Sequence, residues 1–250
     1  MKTKGINGYT FGVSSFLPLK KPTPLPSPLL SARARSNKFK QWNRQFKVIK
    51  NSIYDLASKR FIYKQVTKLI QDSPRLQVPS AFYDWMHRVY VTDMSIHIRR
   101  LADRDKRAIS LYNLVKDIEH HPEVVSRRRF THPYKAFMKH FGHRDFDRLS
   151  KPGSDVLNKK LISKHRTALV KSQKRLRIYT NKHVAHLDKV GMRKFPTYVE
   201  LDACIDTIEC LAKDCTLMLE QSALTTAVPT IQYDWMAPFR VAWIQENKIY

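Results

Sequence analysis

Apolar positions fall at helical spacing from residue 37 onward. In "FKQWNRQFKVIKNSIYDLASKRFIYKQVTKLIQ", Phe39, Trp42, Phe46, Ile49, Ile53 and Leu56 recur at steps of three or four. Ile62, Val66, Leu69 and Ile70 continue the stripe after a break expected near Ser58, and Pro74 ends it. Pro79 and Ser80 open a second helix, for which Phe82, Trp85, Met86, Val89, Met94 and Ile98 supply the expected buried stripe. "SLYNLVKDIEHHP" reads as a short helix with Ser110 as its N-cap and Pro122 as its stop, after a charged turn "DRDKR". Residues 127–147 are basic and aromatic and predict short helices around "PYKAFMKHF". A start near Ser154 then leads into one long helical run from Asp155 through "VLNKKLISKHRTALVKSQKRLRIYTNKHVAHLD", followed by a loop at "KVGMRKFP". "TYVELDACIDTIECLAKDCTLMLEQ" is the clearest amphipathic helix. Thr197 and Glu200 have capping-box spacing, and Leu201, Cys204, Ile205, Ile208, Leu211, Ala212, Cys215 and Leu219 form the apolar face. The last stretch, "AVPTIQYDWMAPFRVAWI", predicts an irregular arm packed across the helices. No repeat and no series of strands appears. The pattern predicts an all-α helical bundle.

Charge adds the next constraint. The 250 residues carry 46 Lys and Arg against 21 Asp and Glu, a formal net charge of +25. That excess is larger than solubility requires and concentrates polyanions, nucleic acid above all. Eleven of the cations, and no acid, fall in residues 1–50. Within them "LPLKKPTPLPSPLL" holds five prolines, each without an amide donor and with φ fixed. Residues 1–36 therefore read as a disordered basic leader, 37–221 as the helical domain and 222–250 as the C-terminal arm. No apolar run is long enough to span a bilayer, so no membrane partner is expected. The three cysteines, Cys204, Cys210 and Cys215, have no metal-ligand spacing. They read as small buried hydrophobes in a reducing, cytoplasmic compartment.

Candidate chemistry is sparse. There is no phosphate loop, dinucleotide fingerprint, nucleophile elbow or HExxH motif. In "IEHHPE" the adjacent His120 and His121 point about 100° apart on a helix, and they read as a C-terminus favoured by the dipole rather than as metal ligands. "RLRIYTNKHVAHLD", residues 175–188, differs in kind. On a continuous α-helix Tyr179, His183 and His186 line one face, with Arg175 one turn earlier and Asn181 and Lys182 flanking. Guanidinium, imidazole and phenol on one ridge can grip a phosphate and move protons near neutral pH.

"YTNKHVAHLD" resembles the motif of the HEPN superfamily, whose α-helical domains carry an arginine, four to six residues and then a histidine. The ordered blocks "IRRLADRDKRAISLYNLVKDI", "YTNKHVAHLD", "TYVELDACIDTIECL" and "TIQYDWMAPFRVAWI" are similar to its AbiU-like branch, associated with bacterial abortive infection against phage. The resemblance spans about Lys38 to Ile244. It implies a helical HEPN-type fold and a metal-independent ribonuclease that needs no cofactor. The implied partners are RNA, a second copy of the chain and a cognate antitoxin. His186 stands at the motif histidine, and Asn181 at the polar residue after the motif arginine. The commonest spacing places that arginine at Thr180. Arg177 with His183 also satisfies it, with five residues between. The resemblance thus makes His186, His183 and Arg177 the catalytic candidates. Arg175, Tyr179, Asn181 and Lys182 are candidates for binding RNA. Two further readings are a non-catalytic HEPN bundle that binds RNA or protein, and a basic helical DNA-binding protein without a recognisable helix-turn-helix.

Overall fold

The computed structural model describes residues 30–184 and 196–241, with the side chains of His183 and Val184 outside that description. Among the described residues, eight α-helices run in the order α1 (Ala32–Asp72), α2 (Ala81–Leu101), α3 (Leu111–His120), α4 (Arg127–Thr131), α5 (Lys139–Leu149), α6 (Lys159–Ser172), α7 (Lys174–Tyr179) and α8 (Tyr198–Glu220). A π-helical segment, Thr180–Val184, continues α7. Among the described residues there is no strand, only an isolated bridge between Ser150 and Leu157, and no helix is long and apolar enough to cross a membrane. The expected all-α architecture is what the chain adopts. The leader before residue 30 lies outside the described residues.

The core forms where α1 lies on α8, α2 and α3, with α6 bridging α3 and α8. From α1 it takes Trp42, Phe46, Ile49, Ile53, Leu56 and Ala57, and from α8 all eight residues of the expected apolar face. Burial of such side chains contributes about 1.5–3 kcal/mol each. Ion pairs then set the antiparallel register of the two helices. Lys50 meets Glu220 at 2.5 Å, Arg60 meets Glu209 at 3.1 Å and Asp206 at 2.5 Å, and Lys64 meets Asp202 at 2.7 Å. The basic stripe of α1 is thus partly neutralised inside the fold rather than offered to a ligand. Glu209 also accepts the Ala227 N–H at 3.0 Å. With Trp235 edge-on to Phe61, this seats the C-terminal arm. On the far side α6 is tied to α3 by Arg166 and Glu119 at 2.5 Å and to α8 by His165 and Asp214 at 2.8 Å.

Several expectations are corrected. Helix α1 starts at Ala32, not 37, because the Ser31 hydroxyl caps it by accepting the Ala34 N–H. It passes Ser58 without a break, the hydroxyl there bonding back to Tyr54 O at 2.8 Å. The stripe of α2 is buried only in its second half. Phe82, Trp85 and Val89 are exposed, whereas Met94 and Ile98 are sealed. The run after residue 154 does not start as a helix. Gly153 takes φ +74 in a Pro-Gly turn, Leu157 pairs back to Ser150, and Asn158 is the cap, accepting from Lys160 and Leu161. Of the cysteines, Cys204 and Cys215 are buried but Cys210 is exposed. Burial pushes the Cys204 thiol up to about 11 and Cys215 higher, so neither is a thiolate at neutral pH.

A buried histidine joins α1 to α2. His97, 6% exposed, has Nε2 at 2.7 Å from Ser52 Oγ and Nδ1 at 3.6 Å from Asp55. Burial first, and then the charges of Lys59 and Arg100, hold its pKa below the usual histidine value, against the opposing pull of Asp55 and Asp93. The unfolded chain therefore binds this proton more readily than the fold. The neutral ring's contribution is fully present above about pH 6.5 and is lost as pH falls through the depressed value. Thermal melting at pH 5.0 is expected below that at pH 7.5, and His97→Gln is expected to shrink the difference.

Candidate functional site

The strip 175–186 starts on α7, which packs with the π segment against α2. Its inward face is set by Leu176 and Thr180, each 1% exposed and one turn apart. The Thr180 hydroxyl donates to Leu176 O at 2.8 Å. That carbonyl is one member of the local backbone ladder, and the turn widens to i→i+5 bonding from Thr180 onward. The strip is therefore not one continuous α-helix, and the part of the expected ridge formed by the His183 and His186 side chains lies outside the described residues.

The strip's side chains divide by exposure. Arg177, Ile178 and Asn181 are exposed, while Arg175, Tyr179 and Lys182 are half-buried. Arg175 is ion-paired to Glu200. Glu200 completes the predicted capping box of α8, accepting the Thr197 N–H at 2.9 Å while Thr197 Oγ1 accepts from Glu200 N at 3.2 Å. The Thr197 N–H, and after it Arg175, hold the Glu200 carboxyl below the usual range. Arg175 thus ties α7 to the start of α8, a role its spacing did not announce. The backbone of His183 belongs to the π segment. Its side chain, and all of His186, lie outside the described residues. Thr197→Ala is expected to lower stability by about 1 kcal/mol in urea unfolding, with little change in the rest of the fold.

A second polar cluster lies beside the strip and was not anticipated. Tyr63 of α1 stacks on Tyr90 of α2 with centroids 3.6 Å apart. Its hydroxyl meets His87 Nδ1 and donates to Tyr198 Oη at 3.1 Å. Burial, and then Tyr198, raise the Tyr63 pKa, so the phenol stays protonated at neutral pH. Tyr198 with Leu176, Val91, Pro196, Thr197 and Leu201 lines a cavity of about 360 Å³. Through that cavity the cluster touches α7. These residues come from three helices, His87 lying 24 positions and Tyr198 135 positions from Tyr63, so no local spacing could reveal them. Among the described residues, no three His, Cys, Asp or Glu side chains are grouped to hold a metal ion. His120 bonds back to Lys116 O at 2.6 Å, and His121 sits at the C-cap of α3 near Asp117 and Glu123.

The chain matches no family model, no curated protein and no solved structure. The reading of the strip therefore rests on its own chemistry and on the motif resemblance.

Proposed function

We propose that the chain is a HEPN-type, AbiU-like protein that cleaves RNA without a metal, in a toxin or phage-defence setting. The observation that carries this reading is the exposure of Arg177 on the turn leading into the π-helical segment that holds Asn181, Lys182 and His183. Isolated π turns are often kept at functional sites because they re-aim side chains at a cost in helix bonding. In this reading Arg177 stabilises the charge that builds on phosphorus. His186, helped by His183, takes the 2′-hydroxyl proton or protonates the leaving 5′-oxygen. RNA supplies its own nucleophile. Thr180 cannot take the arginine's part, being buried and bonded to Leu176. Arg175 is already engaged by Glu200.

A second reading is a non-catalytic HEPN bundle that binds RNA or protein. The engagement of Arg175 and the uncharged residue at 180 favour it. Incubating the purified chain with total RNA in EDTA separates the two. Cleavage that disappears with His186→Ala supports the nuclease, and inertness with salt-sensitive RNA binding supports the binder.

A further inference from the structure

We propose that the cleft between the start of α1 and residues 123–132 is a phosphate-binding site, built by Arg35, Arg128, Arg129 and His132. The cleft, of about 350 Å³, is lined by those four with Ala32, Glu123, Val124 and Ser126. The run Arg127–Arg129 divides sharply at this place. Arg127 turns into the protein, stacking on Phe146 at 4.7 Å and donating to Asp147 at 2.5 Å and Ser154 O at 2.9 Å. Arg128 and Arg129 go the other way and line the cleft opposite Arg35. Among the described residues no carboxylate lies within ion-pair distance of these three guanidiniums. Glu123, the single acid in the lining, sits 3.6 Å from His121.

Arg129 is held in place rather than splayed into water, while Arg128 is exposed at the rim. Its guanidinium stacks 4.8 Å over the ring of Phe39, a cation–π contact that orients its fork. Burial, and then the charge of Arg35, push the Arg129 guanidinium below its usual range, so the two groups crowd each other. Like charges confined in a partly dried cleft, with no carboxylate within ion-pair distance of them, repel until an anion enters. A phosphate suits the site better than a carboxylate, since its oxygens can accept from several guanidinium forks at once. The source of the phosphate is a free nucleotide or an RNA strand. The site lies outside strip 175–186 and stands whether or not the chain cuts RNA.

The test uses the full chain, the pair Arg35→Ala/Arg129→Ala, and the single Arg128→Ala, whose residue is exposed and whose loss leaves the core intact. A charge-matched control removes exposed Lys40 and Lys47. Probes are 5′-AMP, inorganic phosphate and a fluorescent single-stranded RNA, read by anisotropy and by the rise in melting temperature. Loss of charge-assisted bonds is expected to weaken binding roughly 10- to 100-fold in the pair. Arg128→Ala should lose a smaller share, and the control should change only through screened, long-range charge. The unliganded pair should melt close to the wild type, since relief of the crowding offsets the lost contact with Phe39. Loss confined to 5′-AMP identifies a free-nucleotide site, and loss confined to RNA identifies a strand-phosphate site. Equal weakening in the pair and the control, an unchanged response of Arg128→Ala, or no binding of any probe by the wild type overturns the proposal.

Discussion

Replacing His186 by alanine is expected to reduce RNA cleavage in EDTA by about 10²- to 10⁴-fold, the usual worth of a positioned proton-transfer group. Growth toxicity should fall with it, while circular dichroism and melting stay near wild type. Arg177→Ala is expected to cost about 10²- to 10³-fold, as for one donor to a developing oxyanion. The structure sharpens the comparison among the strip's cations. Arg175→Ala should leave cleavage largely intact and act on stability, because its guanidinium is engaged with Glu200 at the start of α8. Thr180→Arg would restore the commonest motif spacing on paper. In the fold it forces a charge into a position 1% exposed, and it is expected to destabilise the protein rather than to raise activity. A folded His186→Ala protein that still cuts RNA would remove the proposed mechanism. A wild type that binds RNA and never cuts it would leave the non-catalytic reading.

Trp42→Ala is expected to destabilise the chain by about 3–5 kcal/mol, measured by urea unfolding, or on the order of 10 °C in melting temperature. The ring is fully buried in the packing of α1. Its indole N–H also donates to Asp117 of α3 at 2.7 Å, beside Lys38 at 2.8 Å from the same carboxylate. Alanine therefore opens a cavity and removes a donor from a part-buried charge at once. Trp42→Phe separates the effects, keeping most of the volume and losing about 1.5–3 kcal/mol for a bond to a charged acceptor. Burial alone would raise the Asp117 pKa. Its bonds to Lys38 and Trp42, with the charges of Lys38 and His121, outweigh that and hold it below the usual carboxylate value. The stability this carboxylate contributes is present above about pH 4 and is lost as pH falls through the depressed value. Acid sensitivity should thus be smaller in Trp42→Phe than in wild type. A Trp42→Ala protein as stable as wild type would contradict the placement of α1 against α3.

Helix identity, core-facing residues and caps were legible wherever a local rule had no rival. The 3.6-residue stripe of α8 and its Thr197–Glu200 cap needed no neighbour to be read, because both are set within a few residues along one helix. Ser110 was readable as a cap, and Ser80 as part of a helix start, for the same reason. Spacing failed where tertiary context outweighed pattern. Phe82, Trp85 and Val89 have helical periodicity yet stay exposed, since periodicity specifies a shared face without specifying burial. At α6 the Pro-Gly turn at 152–153 and the Ser150–Leu157 bridge occupy the expected start near Ser154, and the helix begins after the Asn158 cap.

The amino-acid order by itself determined an all-helical chain, its apolar stripes and its strongly positive charge, since each depends on residues in reach of one another along the backbone. Only the tertiary structure decided which cations, among the described residues, are neutralised by acids and which are not. Lys50, Arg60, Lys64, Arg127 and Arg175 meet acids brought from distant segments. Arg35, Arg128 and Arg129 line one cleft together instead. Coulomb energy depends on separation in space, which for these groups is fixed by helix packing and not by their places in the chain.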